Sequence, residues 1–202
     1  MIYDAVVVGG GPSGATAAED LARSGHRVAM IDRAGRIKPC GGAIPPRLIR
    51  DFHIAETQLL AKITTARMIS PSGRRVDIPI ENGFVGMGDR ADFDEYLRTR
   101  AVSAGATRIT GTYTAITRDH GQTHVHYRNQ ACGTTQRITT RVVIGADGAR
   151  STVARDEVQG GDRIPYVMAY HEIIESPDRD SGHSGDYHPD RCDVIYDGAI
   201  SP

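Results

Sequence analysis

Residues 5–14, AVVVGGGPSG, join a run with the character of a buried strand directly to a turn suited to phosphate binding. Three consecutive valines suit a strand that is covered on both faces of a sheet. Gly9, Gly11 and Gly14 fit the pattern G-x-G-x-x-G, which allows a tight turn, close approach of a pyrophosphate and close packing of a helix on a strand. The stretch therefore predicts a dinucleotide site at a helix N-terminus, with a glycine-rich structural turn as the alternative.

The residues after this turn complete a strand-helix-strand unit. Small apolar residues recur at helical spacing up to Gly25, and residues 27–31 predict a second parallel strand. Asp32 follows that strand, where a carboxylate can accept hydrogen bonds from the ribose hydroxyls of an adenosine; an ordinary loop aspartate is the alternative. A carboxylate here would repel a 2′-phosphate and favours FAD or NAD over NADP, although the neighbouring Arg33 would favour NADP.

Composition and charge exclude several classes of protein. The 202 residues are 39% hydrophobic, which is typical of a globular chain with a sizeable core. The net charge of −1 gives no electrostatic reason to expect a nucleic-acid partner. Cys40, Cys132 and Cys192 are few and far apart, so we expect a reduced, cytoplasmic protein without a disulfide framework. We find neither a signal-peptide pattern nor an apolar run long enough to span a bilayer.

A second irregular segment covers residues 36–46, RIKPCGGAIPP. Its prolines and glycines break regular structure ahead of a helix predicted over 46–52. Glycines would let backbone N–H groups approach a flat ring, and Cys40 lies at the edge of that opening. The reactive end of a cofactor and a simple tight connection are equally compatible with this pattern.

The middle of the chain alternates strands with one long helix. A hairpin is predicted over 64–80 around Pro71-Ser72-Gly73, and Asp89 is expected to cap a helix over 90–104. A short strand at 107–110 follows the helix. A small antiparallel meander is then predicted from strands over 113–118, 123–128 and 136–140.

Residues 142–151, VVIGADGARS, repeat the pattern of the opening stretch. A buried strand again ends in glycine and a carboxylate, Asp147, before the start of a helix. Ligands of α/β sheets bind across the carboxyl ends of the strands, so one cofactor could contact both turns.

Two groups of histidines do not have the spacing of a metal site. His124 and His126 lie two apart on one strand with no third ligand nearby, which favours a solvated strand face over a metal site. A polar loop over 176–193 contains the ligand types without a tight metal pattern: His183, Asp186, His188, Asp190 and Cys192. We therefore predict no metal site.

The last fifty or so residues end without closing an element of structure. A strand is predicted over 167–174 and strand-like residues return over 193–200. We expect the chain to be the N-terminal piece of a longer protein.

Longer motifs carry a resemblance to a known family. They are KPCGGAIP (38–45), MISPSG (68–73), Arg90 with Phe93, Asp94 and Leu97, GADGARS (145–151) and AYHE (169–172). With these motifs the chain resembles the geranylgeranyl reductase family over essentially its whole length. It is most similar to the branch that reduces the isoprenoid tail of bacteriochlorophyll and chlorophyll.

The resemblance implies the fold of hydroxybenzoate hydroxylase-like flavoproteins, which is α/β. A Rossmann-like FAD-binding domain with a β-meander would cover 1–60 and 84–158. An incomplete antiparallel substrate domain, interleaved with it, would cover 61–83 and 159–202. The residues implied to bind FAD are Gly9, Gly11, Ser13, Gly14, Asp32, Arg33, Cys40, Gly41, Ala43, Arg90, Asp147 and Gly148.

The resemblance also implies a reaction. NADPH would reduce FAD, and the flavin would reduce geranylgeranyl double bonds to phytyl, on the diphosphate or on the pigment ester. Cys40 is a candidate proton donor by position, with a backbone-shaping role as the alternative. The 202 residues alone are expected to be inactive, because later parts of the family's fold would follow Pro202.

Two other activities fit the same scaffold. They are an FAD-dependent aromatic monooxygenase and a reductase of archaeal-type isoprenoid lipids. Peripheral association with the inner or photosynthetic membrane is compatible with either reductase. The sequence carries no prediction of an oligomeric state.

Overall fold

The structure is a computed structural model that describes residues 1–33, 40–167, 169–172, 174–175 and 187–199. The chain forms two compact units. The first comprises residues 1–37 and 93–168, and the second comprises 38–92 and 169–202. These boundaries differ from the two predicted domains, and the assignment of one domain to FAD and the other to substrate stays a prediction.

The helices and strands of the described residues follow in chain order. They are β1 (Ile2–Val8), α1 (Pro12–Arg23), β2 (Val28–Asp32), β3 (Ala43–Ile44), α2 (Pro46–Asp51), a 3₁₀ turn (Glu56–Gln58), β4 (Ala61–Ile63), β5 (Thr65–Ile69), β6 (Arg75–Pro79), β7 (Val85–Met87), α3 (Arg90–Ser103), β8 (Thr107–Asp119), β9 (Gln122–Asn129), β10 (Thr135–Gly145), α4 (Thr152–Glu157) and β11 (Arg191–Ile195).

The first unit is built on the predicted strand-helix-strand motif. Strand β1 pairs in parallel with β2 on one side and with β10 on the other. Strands β8 and β9 complete a closed barrel in the order β1-β10-β9-β8-β2. One core cluster is formed by the buried side chains of Val6, Val8, Ala29, Ile31, Tyr113, Val125, Tyr127 and Val153. The α/β class and the β-α-β start of the fold are confirmed.

Two of the barrel strands are longer than predicted. Strand β8 runs unbroken through the expected gap after Thr110, with an irregularity between Tyr113 and Ala115. Strand β10 likewise unites the predicted meander strand at 136–140 with the buried strand at 142–145. In each case two predicted strands form one, because the strand pairs with two partners along its length. Strand β8 pairs first with β2 and then with β9. Strand β10 pairs first with β9 and then with β1.

The second unit contains two small sheets, ordered β11-β5-β6 and β3-β7-β4. The predicted hairpin is formed by β5 and β6, with Ala66 opposite Ile78 and Met68 opposite Val76. Strand β11 pairs with β5 in parallel, which the sequence pattern had not indicated.

Two further expectations were wrong. No strand is assigned in the described residues between 163 and 175, so the strand predicted over 167–174 is absent from that part of the chain. His124 does not lie on a solvated face, because it is 7% exposed and its Nδ1 lies 2.9 Å from the hydroxyl of Thr139. Thr139 lies opposite His124 in the pairing of β10 with β9.

Candidate functional site

Neighbouring backbone leaves no room for a side chain at Gly9, in the turn between β1 and α1, or at Gly14, in the first turn of α1. Gly9 has a φ of +108°, and a Cβ there would lie 2.9 Å from the amide nitrogen of Asp147 and closer still to the carbonyl of Ala146. A Cβ on Gly14 would collide with the carbonyl oxygen of Gly9. The sequence pattern therefore reflects close backbone packing between the first turn and the turn that follows β10.

The N-terminus of α1 carries no cap that would compete with an anion. Gly11 is the N-cap residue and offers no side-chain hydrogen bond, and the first turn of the helix contains no acidic residue. Ser13 is exposed in that turn. The first N–H groups of a helix lack partners within the helix, and the positive end of its dipole favours a phosphate.

Asp32 ends β2 beside the same turn and is held by a residue that the sequence analysis missed. Nη1 of Arg98, on α3, donates to the carboxylate of Asp32 at 3.3 Å and to the carbonyl oxygen of Gly10 at 3.1 Å. The side chains of Arg98 and Asp32 are only 14% and 21% exposed. Arg33, the next residue, is exposed.

Arg98 is itself held from its other side. Its Nε donates to Oε2 of Glu95 at 3.0 Å, and Glu95 also accepts two hydrogen bonds from Arg108, at 2.6 and 3.0 Å. The hydrogen bond from Arg108 is the main reason that the pKa of Glu95 lies below its usual value. The guanidinium of Arg98 is thus fixed between two carboxylates.

The turn after β10 lies against the glycine turn, as expected for two strands that end at one edge. The amide of Ala146 donates to the carbonyl of Val8 at 2.8 Å. The carboxylate of Asp147 accepts from the amides of Thr152 and Val153, at 2.6 and 3.2 Å, and from the hydroxyl of Ser151. Asp147 therefore stabilises the start of α4. The sequence analysis predicted a role for Asp147 at the cofactor and did not predict this contact. Gly148 is exposed, with a φ of +92°.

In the second unit, the described part of the proline- and glycine-rich segment begins at Cys40. Cys40, Gly41 and Ala43 are exposed, and Cys40 forms no disulfide. Gly42 has a φ of +73°, and its carbonyl accepts from the amide of Gly88 at 2.9 Å. This contact fixes the segment against the end of β7. Lys38 and Pro39 of the predicted motif lie outside the described residues.

Arg90, the remaining predicted cofactor residue, is the first residue of α3. The carboxylate of Asp89 accepts from the amide of Ala91 at 2.6 Å, which confirms the predicted cap of this helix. The structure therefore divides the predicted cofactor residues between the two units. It brings together those at the glycine turn, at Asp32 and at Asp147.

Within the described ranges, no cluster of three or more histidine, cysteine, aspartate or glutamate side chains could hold a metal ion. His126 is close to the hydroxyl of Thr117, with 2.8 Å between Nε2 and Oγ1. His183 and Asp186 lie outside the described residues. Among the helices that the structure describes, none has the length and hydropathy needed to cross a bilayer.

A known protein family matches most of the chain. Residues 3–179 match the family described as pyridine nucleotide-disulphide oxidoreductase. The 202 residues contain no Cys-x-x-Cys pair.

Two relatives align with nearly the whole length of the chain. The geranylgeranyl diphosphate reductase of Rhodobacter capsulatus is 63% identical over 202 residues, which are 100% of this chain and 50% of that enzyme. The chloroplastic geranylgeranyl diphosphate reductase of Arabidopsis thaliana is 36% identical over 97% of this chain and 43% of its own length. The chain thus spans about half the length of these relatives.

A solved structure shows the same fold. A geranylgeranyl bacteriochlorophyll reductase-like protein from Thermoplasma acidophilum superposes with a TM-score of 0.73 at 23% identity, covering 96% of this chain and 50% of that one. The chain belongs to the pyridine nucleotide-disulphide oxidoreductase family, and over its whole length it is similar to the geranylgeranyl reductases.

Proposed function

We propose that the protein is a flavin-dependent oxidoreductase that reduces the double bonds of a geranylgeranyl chain to phytyl, with NADPH as the reductant. The observation that carries this proposal is the 63% identity, across every residue of the chain, to an enzyme named for the reduction of geranylgeranyl diphosphate. The substrate would be the free diphosphate or the geranylgeranyl ester of bacteriochlorophyll.

The first unit fits the ADP half of FAD. Neighbouring backbone excludes side chains at Gly9 and Gly14, which gives the tight turn and the close packing of a helix on a strand that a dinucleotide site uses. The uncapped first turn of α1 would receive the phosphates, and Asp32 would accept hydrogen bonds from the ribose hydroxyls. Further contacts in this unit are proposed for Gly11, Ser13, Arg33, Asp147 and Gly148. The roles of Cys40, Gly41, Ala43 and Arg90 rest on the family resemblance.

Bound FAD would supply the hydride that an alkene requires, and the protein would supply the proton and a water-poor site. Cys40 remains the candidate donor, because its thiol is exposed in a segment that Gly42 fixes in place. We predict that Cys40→Ala lowers turnover at least about a hundredfold, the lower end of the range for loss of a general acid, while FAD content is unchanged. Turnover equal to that of the parent would remove Cys40 from the mechanism.

A chimera tests the proposed activity. Residues 1–202 of this chain would replace the matching half of the R. capsulatus enzyme, and the chimera would be assayed without oxygen on geranylgeranyl diphosphate with NADPH. We expect products that have gained two hydrogens for each reduced double bond. The unmodified R. capsulatus enzyme, and the melting temperature and FAD content of the chimera, serve as controls.

Two results would contradict the proposal. One is a folded, FAD-containing chimera that leaves the isoprenoid unchanged while the unmodified enzyme reduces it. The other is hydroxylation of an aromatic substrate that depends on oxygen, which would favour the monooxygenase instead.

A further inference from the structure

We infer that Arg98 is a positioning residue of the dinucleotide site, which sets the carboxylate of Asp32 for the ribose hydroxyls of the adenosine. This inference rests on the proposed function, because it assumes that the first unit holds the ADP half of a dinucleotide. It adds a residue from α3 to a site otherwise built from the β1-α1-β2 motif and the turn after β10.

The contacts of Arg98 join the two parts of that motif. One nitrogen, Nη1, donates both to the carbonyl of Gly10, in the glycine turn, and to Oδ2 of Asp32, at the end of β2. Gly10 and Asp32 are also in close contact, since a Cβ on Gly10 would lie 2.7 Å from Oδ2. Arg98 therefore fixes the spacing between the turn that would hold the phosphates and the carboxylate that would hold the ribose.

The orientation of Arg98 is determined by its surroundings. Its side chain is 14% exposed, and its Nε donates to Glu95, which two nitrogens of Arg108 hold in turn. A guanidinium is planar, so a hydrogen bond at Nε restricts the direction of Nη1. Fewer orientations of the Asp32 carboxylate are then accessible before a ligand binds, and a preorganised acceptor binds more tightly.

The contact also divides the carboxylate between two tasks. Nη1 of Arg98 donates its hydrogen bond to Oδ2 of the Asp32 carboxylate. The other oxygen, Oδ1, is then the acceptor for a ribose hydroxyl. A lysine at position 98 would place a single compact charge there and lacks the planar fork that reaches Gly10, Asp32 and Glu95 together.

The test compares two ligands that differ only in the ribose hydroxyls. ADP and 2′,3′-dideoxy-ADP would be titrated calorimetrically into the purified 202-residue chain, and the ratio of their dissociation constants measured. A hydrogen bond to a charged acceptor predicts that the wild-type chain binds ADP at least roughly tenfold more tightly. In Arg98→Met, which keeps an apolar stem and removes the guanidinium, we expect the ratio to fall below about threefold.

Matched variants separate positioning from a merely structural role. Arg47→Met removes an exposed guanidinium that pairs with Asp51 on α2 and belongs to no part of this network, so the wild-type ratio should persist. If Arg98→Met weakens both ligands by one factor and leaves the ratio at the wild-type value, the inference is overturned. Should Arg98→Met fail to fold, Arg98→Lys is measured instead, and a ratio equal to the wild-type one again overturns it.

Failure of the proposed function looks different. A wild-type chain that binds neither FAD nor ADP would reject the cofactor site and, with it, the role of Arg98. A wild-type chain that prefers ADP, together with an Arg98 variant that keeps the same preference, would reject the role of Arg98 alone.

Discussion

Gly9 and Gly14 show how single atoms determine the site at the end of β1. Both were recognised from spacing in the sequence, because the absence of a side chain is itself visible there. The structure adds the reason at each position, which is contact with the turn after β10 at Gly9 and with the carbonyl of Gly9 at Gly14. Patterns of this kind predict a site well because they depend on local backbone geometry.

Other residues of the same site left no sign in the sequence. Arg98 lies in the middle of a charged helix, and no local spacing distinguishes its side chain from those of Arg100 or Arg108. Its role depends on a contact with Asp32, which is far away in the chain. The buried position of His124 likewise depends on the pairing of β9 with β10.

Gly14→Ala should destabilise the fold, because the added methyl group would collide with the carbonyl oxygen of Gly9. We expect a loss of about 2 kcal/mol in the free energy of unfolding, the range found for overpacking, measured by urea denaturation. The control is Gly198→Ala, where no atom lies within 4 Å of the added Cβ and the change should stay within about 0.5 kcal/mol. Equal losses in the two variants would contradict this account of Gly14.

Glu95 should make stability depend on pH in the acid range. Its pKa lies below the ordinary value of 4.5, chiefly because Arg108 donates hydrogen bonds to its carboxylate. A depressed folded-state pKa contributes stability above the ordinary value, and that contribution is lost as the pH falls through the folded-state pKa.

The free energy of unfolding of the wild type should therefore exceed that of Glu95→Gln at about pH 7, and the difference should shrink toward about pH 3. Urea denaturation at a series of pH values measures it. Arg108→Gln should flatten the acid dependence in a similar way. Curves for wild type and Glu95→Gln that stay parallel over this range would show that Glu95 has no such role.

The presence of each helix or strand was predicted better than the residues at which it begins and ends. Helices α2 and α3 lie within one residue of their predicted bounds, 46–52 and 90–104, and α1 ends two residues before Gly25. The boundary between the meander and the second buried strand was wrong because β10 changes partners without a break. A change of partner is a long-range event, which the residues at the crossing, such as Thr140 and Arg141, do not mark in the sequence.

Helices α1 and α3 are linked by one buried acid. Glu19 on α1 is 3% exposed, and its Oε1 accepts from Arg23 and from Arg100 on α3, at 3.0 Å in each case. Burial alone would lower the pKa of Arg100, but the hydrogen bond and charge of Glu19 outweigh it and raise that pKa.

Glu19→Gln should cost about 2 kcal/mol in the free energy of unfolding, since it weakens charged hydrogen bonds at a buried position. Thermal and urea denaturation would both report it. The matched control is Asp51→Asn, which alters exposed pairs on α2 and should leave the stability unchanged within error. A Glu19 variant as stable as this control would mean that the link between α1 and α3 contributes nothing.

For the molecule as a whole, the family was within reach of the sequence, whereas the two predicted domains stay a prediction. Short motifs and the glycine turn identified a geranylgeranyl reductase, and the 63% identity to the R. capsulatus enzyme confirms that family. The contact boundaries fall at other residues than the predicted domains. Compactness depends on how strands from distant parts of the chain pair, as β11 does with β5.

The most direct test of the account is the binding of FAD to the purified 202-residue chain, followed by the change in flavin fluorescence. We predict one FAD per chain, and a dissociation constant at least roughly tenfold higher in Asp32→Asn, because an amide is a weaker acceptor for the ribose hydroxyls than a carboxylate. A chain that retains no FAD, or one that binds FAD equally well with and without the Asp32 carboxylate, would contradict the assignment of the first unit as the site for the ADP half of the cofactor.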